Sequence, residues 1–394
     1  MGKAVCWAVA VLLVAIVGAS LALMYILRPP RLTGDLAADL GRIVASTVGG
    51  NPPIRSAVLA VRRGRDGFAW SGAAGEASAH ERRPMTAQTP IFIASVTKLI
   101  TATAVMRMAE RGALKLDDPI AKYLPEDLIH GIDVFGGTDH TPELTIHDLL
   151  SHRSGIPDYY DEKADDGRTL FELLQADPAR SWSVDDAIAR VRDHMKPGFA
   201  PRERTSYSDT NFQLLGKILE RVTGKPLHAI FAAEFFEPLG LDHTWLLGQP
   251  GVDPARIETA ELYQGDRDIT ATRRSAVYWA DGGVVSTADD MIRFLEALKE
   301  GRLLKPESLA MMHAWHAWRF PLQYGLGTML FDLPRPALYL TGMSPLWGHS
   351  GSTGSFLYYS EASDAYLAGT VDQTDARGKP FALMRAALYA LRSE

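Results

Sequence analysis

The chain has 394 residues, 46% of them hydrophobic, and a formal net charge of −6. That length accommodates a membrane segment plus one globular unit of two subdomains, and an acidic balance without any basic run argues against a nucleic-acid partner. The single cysteine, Cys6, excludes an internal disulfide.

Residues 4–27 carry no charge and, as a helix, are long enough to cross a bilayer core of about 30 Å. The stretch is longer than the roughly 7–15 apolar residues of a cleaved leader, although Ser20-Leu21-Ala22 offers a small-x-small cleavage site. It is therefore read as an uncleaved N-terminal transmembrane helix. Lys3 flanks it on one side and Arg28 and Arg31 on the other, so charge leaves its orientation open. Arg28-Pro29-Pro30-Arg31 reads as a stiff spacer, which makes residues 1–34 anchor and spacer and residues 35–394 the functional domain.

Leu36, Leu40, Ile43, Val44 and Val48 follow at helical spacing. Residues 56–62 and 67–74 read as a strand pair joined by Arg63-Gly64-Arg65-Asp66. From Ile91 to Met108 the only charges are Lys98 and Arg107, the pattern of a helix buried nearly all round. Within it, Ser95-Val96-Thr97-Lys98 sets a hydroxyl and an amine three residues apart, on one helix face. A serine hydroxyl needs an adjacent base to become a nucleophile, and lysine is a base only where burial or nearby positive charge depresses its pKa. Near the helix start, unpaired backbone N–H groups would favour negative charge developing at Ser95.

Two further triplets follow. Tyr207-Ser208-Asp209 precedes an amphipathic helix carrying Phe212, Leu215, Leu219 and Val222, stopped by Gly224 and Pro226. His349-Ser350-Gly351 leads into β-prone residues 356–359. Taken singly, a Ser and a Lys three apart are frequent by chance, Tyr207 fits a half-buried packing residue, and His349 fits a turn beside glycines.

Together the three triplets resemble the serine β-lactamase and penicillin-binding-protein superfamily, most closely its branch of class C β-lactamases, D-alanyl-D-alanine carboxypeptidases and related esterases. Leu149 to Pro157 (LLSHRSGIP), Gly282 to Asp290 (GGVVSTADD) and Tyr324-Gly325-Leu326-Gly327 are similar to recurrent segments of that branch in its usual order. The resemblance spans about residues 35 to 394. It implies a β-lactamase/transpeptidase-like fold of the α/β plus all-α type: an antiparallel sheet flanked by helices, from residues 35–112 and 280–394, with an inserted, mainly helical subdomain at 113–279. It also implies that Ser95 becomes acylated and that Lys98 and Tyr207 share the proton transfers. The backbone N–H groups of Ser95 and Ser352 would form the oxyanion hole, with Gly351 beside them. His349 stands where relatives carry Lys or His to meet a substrate carboxylate. No cofactor or metal is implied, and the expected substrate is a cell-wall peptide, a β-lactam or an ester, met by an extracytoplasmic domain.

One position departs from the family pattern. Many relatives have Asn where Asp209 stands. An amide both donates and accepts hydrogen bonds, whereas an ionised carboxylate only accepts and stabilises a neighbouring ammonium. Asn211 is displaced too far along the chain to substitute. The departure weakens the expectation of β-lactam and peptide-amide turnover more than that of acylation, and it leaves open an esterase, or an inactive relative that binds cell-wall peptide or a protein partner.

Other chemistries lack their signatures, there being no G-x-S-x-G elbow, H-E-x-x-H helix or P-loop. His313-Ala314-Trp315-His316 has no carboxylate or cysteine close by and reads as packing or groove-lining rather than metal-binding. Strands at 355–360 and 365–371 and a helix at 380–391 complete the chain.

Overall fold

In the computed structural model, residues 30–251, 258–333 and 345–393 are described. The expected transmembrane helix at 4–27 lies outside them, and among the described residues no helix is long and apolar enough to cross a membrane.

A nine-stranded antiparallel sheet is built from both ends of the chain. Its strands are β1 (Ser56–Arg63), β2 (Ala69–Ser78), β3 (Arg83–Pro84), β4 (His316–Arg319), β5 (Leu322–Tyr324), β6 (Met329–Phe331), β7 (Leu346–Ser350), β8 (Phe356–Ser360) and β9 (Ala365–Thr370). The spatial order is β4-β5-β6-β7-β8-β9-β1-β2-β3, so β1 joins the N-terminal hairpin to the C-terminal strands, with Val61 opposite Leu367.

Strand alternation sends side chains to two faces. Ala57, Leu59, Val61, Phe356, Tyr358 and Leu367 pack with helices α1 (Leu36–Thr47) and α5 (Lys379–Arg392) through Leu40, Ile43, Val44, Met384, Leu388 and Leu391. Val58, Ala60, Leu357, Tyr359, Tyr366 and Ala368 face the opposite way, into a second core containing helix α2 (Thr97–Glu110), helix α3 (Asp209–Thr223) and helix α4 (Ala288–Lys299). Helix α3 ends at Gly224 in the left-handed region, φ +67°, where the missing Cβ removes the strain.

The structure corrects one expectation about the nucleophile segment. Ile91–Phe92 is a short strand paired with Val284–Ser286 rather than the first turn of a helix, and Ala94–Val96 is a single 3-10 turn leading into α2. An apolar run buried on all sides has no periodicity to separate strand from helix.

Candidate active site

Ser95 sits where that short strand turns into α2, and neighbouring segments pin the turn. Thr353 Oγ1 donates to the Phe92 carbonyl at 2.7 Å and Ser355 Oγ to the Ile93 carbonyl at 2.7 Å, tying the turn after β7 to the residues just before the nucleophile. Gly351 fits only because it has no side chain, since a Cβ there would lie 2.1 Å from Ser355 Oγ and 2.5 Å from the Ile93 carbonyl oxygen. Along the other flank, Thr101 Oγ1 donates to the Ala280 carbonyl at 2.6 Å and the Val284 N–H to Thr97 Oγ1 at 3.1 Å.

Lys98 is fully buried. Its Nζ donates to Ser95 Oγ at 3.2 Å and to the Asp281 carbonyl at 2.7 Å, and it lies 2.5 Å from Asp209 Oδ1 as an ion pair. The ammonium also stands 4.9 Å from the centroid of the Tyr207 ring. Asp281 is held in turn by Tyr159 Oη at 2.6 Å, Gln213 Nε2 at 3.0 Å and the Trp279 N–H at 3.1 Å. Sequence reasoning had not singled out Asp281; its signal was the adjacent glycine pair of the GGVVSTADD segment.

Tyr207 is set by His152, whose Nδ1 accepts from the Ser208 N–H at 3.2 Å while its carbonyl accepts from the Ser206 N–H at 2.9 Å. The His152 ring packs 4.3 Å from that of Tyr207, and Trp318 stacks on Tyr207 at 5.2 Å and 24°. Burial, followed by the charge on Lys98, pushes His152 well below the usual imidazole range, so a neutral ring supports the tyrosine. The Tyr207 hydroxyl is buried and makes no hydrogen bond of good geometry among the described residues. Burial and then the charge on Asp209 raise its pKa well above that of an ordinary phenol, and the nearby Ser95 hydroxyl partly opposes them.

The third triplet divides. Ser350, Gly351 and Ser352 line the cleft together with Ser95, Tyr207 and Asp209, and the Ser352 N–H makes no hydrogen bond among the described residues. His349 is placed differently from the expectation that it meets a substrate carboxylate. Strand alternation turns its ring away from the cleft that Ser350 faces. It is fully buried, with Nε2 3.1 Å from Tyr324 Oη and Nδ1 2.8 Å from the Ser350 carbonyl. Burial and the Lys98 charge push its pKa down to about 3, so the ring is neutral. Asn211 is likewise behind the site, with Oδ1 accepting from Ser154 Oγ at 2.8 Å.

The cleft has a volume of about 330 Å³, and its walls include Trp318, Leu322, Phe381 and Arg377. Its lining carries both signs: Asp161, Asp209, Asp281 and Asp375 with Arg273, Arg319 and Arg377. Burial raises Asp161, Asp281 (to about 6) and the neighbouring Asp158, and the Asp209 charge is the next cause in each case. Elsewhere, His80, Glu261 and Asp268 bring possible metal-ligand atoms within 4.8 Å of one another, but the Glu261 oxygens already accept from Ser78, Ala79 and Tyr263. His313 stacks on Trp315 at 4.9 Å, a packing arrangement.

The model of the family described as "Beta-lactamase" matches residues 44–390, most of the chain. The chain belongs to the β-lactamase family. Among relatives, it is 30% identical over 298 residues to esterase EstB of Burkholderia gladioli, covering 70% of this chain and 73% of EstB. It is 27% identical over 206 residues to the D-alanyl-D-alanine-carboxypeptidase/endopeptidase AmpH of Escherichia coli K12, covering 52% of this chain and 48% of AmpH. A D-stereospecific amidohydrolase from a Streptomyces species superposes with a TM-score of 0.68 at 26% identity, over 86% of this chain and 94% of that one. Members with these activities are serine hydrolases, and this chain is one of their family.

Proposed function

We propose that this β-lactamase-family protein hydrolyses an ester, amide or β-lactam carbonyl through an acyl-enzyme on Ser95. The observation that carries the proposal is the contact of Ser95 Oγ with the buried Lys98 Nζ at 3.2 Å, on the floor of a cleft into which Tyr207 also projects. Lys98 and Tyr207 would exchange the Ser95 proton, Tyr207 handing it to the leaving group as the carbonyl–heteroatom bond breaks. The Ser95 and Ser352 N–H groups would receive the oxyanion.

Within that class, the site favours an ester or an amide without a terminal carboxylate. His349 is neutral and turned away, and Asp209 offers no donor to an acyl-amide carbonyl. A carboxypeptidase-like or β-lactamase-like reading is favoured by one feature, Arg377 in the cleft wall, a cation that could meet a substrate carboxylate. Intact mass after incubation with an activated ester, and separately with a penicillin, decides between them. An adduct on Ser95 with ester turnover supports an acyl-enzyme; a penicillin adduct selects the second reading. Ser95→Ala should lose both adducts and lower turnover by about 10³-fold or more; retained turnover would refute the assignment.

We also propose that residues 4–27 anchor the domain as one helix, from their uncharged length, with the site outside the cytoplasm, the side that the family resemblance implies. Release of the full chain from cell membranes by high salt, without detergent, would overturn this.

A further inference from the structure

Asp209 forms an ion pair with Lys98 through Oδ1, and neither of its oxygens accepts a hydrogen bond of good geometry from the described residues. Its side chain is 12% exposed, and that exposed part lines the cleft beside Ser95. One carboxylate oxygen is therefore presented to whatever occupies the cleft. Asp158, Asp161 and Asp281 feel both members of the pair, the Asp209 carboxylate raising them and Lys98 lowering them. Arg377 acts on Asp161, and the Arg273 guanidinium is committed to the Gly282 carbonyl at 3.0 Å and the Tyr278 ring at 3.8 Å. Among the described residues the cation paired with Asp209 is Lys98, and that pairing engages Oδ1.

We infer that Asp209 is a specificity residue for acyl groups bearing a protonated amine near the scissile carbonyl, its free oxygen accepting from the substrate ammonium. The inference rests on the acyl-enzyme reading above and names its substrate class: aminoacyl esters and amides with a free amino group. A charge-assisted hydrogen bond from an ammonium suits an acceptor-only group, whereas an N-acylated substrate turns a carbonyl toward a carboxylate that cannot donate.

The test compares alanine methyl ester with N-acetylalanine methyl ester, in both enantiomers, on the full chain and on Asp209→Asn. The full chain should favour the free-amine ester at least about tenfold in kcat/KM, and Asp209→Asn should erase or invert that ratio. An unchanged ratio in the variant, or a full chain that prefers the acetylated ester, overturns the inference while leaving the acyl-enzyme reading intact. Binding separates the two claims if turnover fails. In Ser95→Ala, calorimetry with alaninamide against N-acetylalaninamide should show selective binding of the ammonium, and equal or absent binding of both overturns the inference whatever the activity.

Discussion

The core between the sheet and helices α1 and α5 is built of apolar side chains whose backbone groups pair along the strands; the region around α2 and α3 buries Lys98, His152, Asp158, Asp209 and Asp281 within one neighbourhood. Buried ionisable groups oppose folding unless they are paired and hydrogen-bonded. The first region supplies the stability, and the second spends part of it to hold a cation against a nucleophile. The contrast teaches where substitution should register. Changes in the sheet should be read as stability and changes in the cleft as rate.

The largest expected effects break the comparison most directly. Leu367 is fully buried opposite Val61. Leu367→Ala should lower unfolding free energy by about 2–5 kcal/mol, through lost transfer free energy and the cavity left behind, with kcat of the folded fraction unchanged. Tyr207→Phe removes one hydroxyl that makes no hydrogen bond of good geometry among the described residues, so it should leave the melting temperature within a degree or two while lowering kcat by about 10²–10⁴-fold. Melting curves and ester kinetics on both variants check the pair. A Tyr207→Phe that melts early, or a Leu367→Ala that loses kcat, would dissolve the division of labour.

Legibility follows the same division. The strands expected at 355–360 and 365–371 are observed as Phe356–Ser360 and Ala365–Thr370, and the helix expected at 380–391 as Lys379–Arg392, because alternation and helical spacing report faces packed on one side. The start of the Ser95 segment was misread because its burial is uniform. Ser95, Lys98, Tyr207 and Asp209, from the first two motifs, and Ser352, from the family resemblance, come together at one cleft, since chemistry restricts residue type and spacing. Side-chain direction was not legible: His349 and Ser350 are neighbours in one triplet, and the pleat sends only Ser350 to the cleft. Of the groups that orient the site, His152 acts through its Nδ1 and ring and lies in the LLSHRSGIP segment, whereas Asp281 meets Lys98 through a backbone carbonyl, which leaves little mark on residue type.

A smaller effect sharpens the comparison from the sheet's side, where one acid is also buried. Asp372 follows β9, accepts from Ser56 Oγ at 2.9 Å and Thr370 Oγ1 at 3.1 Å, and burial raises its pKa from 3.8 to about 7. Between those two pH values the folded state binds more protons than the unfolded state, so the protonated carboxyl's contribution falls as pH rises and is gone above about 7. At about 1.4 kcal/mol per pH unit over the two units between pH 5 and about 7, the loss from pH 5 to 8 is about 3 kcal/mol. Asp133, whose oxygens have no hydrogen-bond partner among the described residues, is raised to about 7 by burial and adds to the same slope. Denaturant unfolding at pH 5 and pH 8 should show stability decreasing with pH, and Asp372→Asn should remove its share of that decrease. An unaltered slope in Asp372→Asn would mean that Asp372 is ionised in the folded protein at pH 5, which its enclosure beside two neutral hydroxyls opposes.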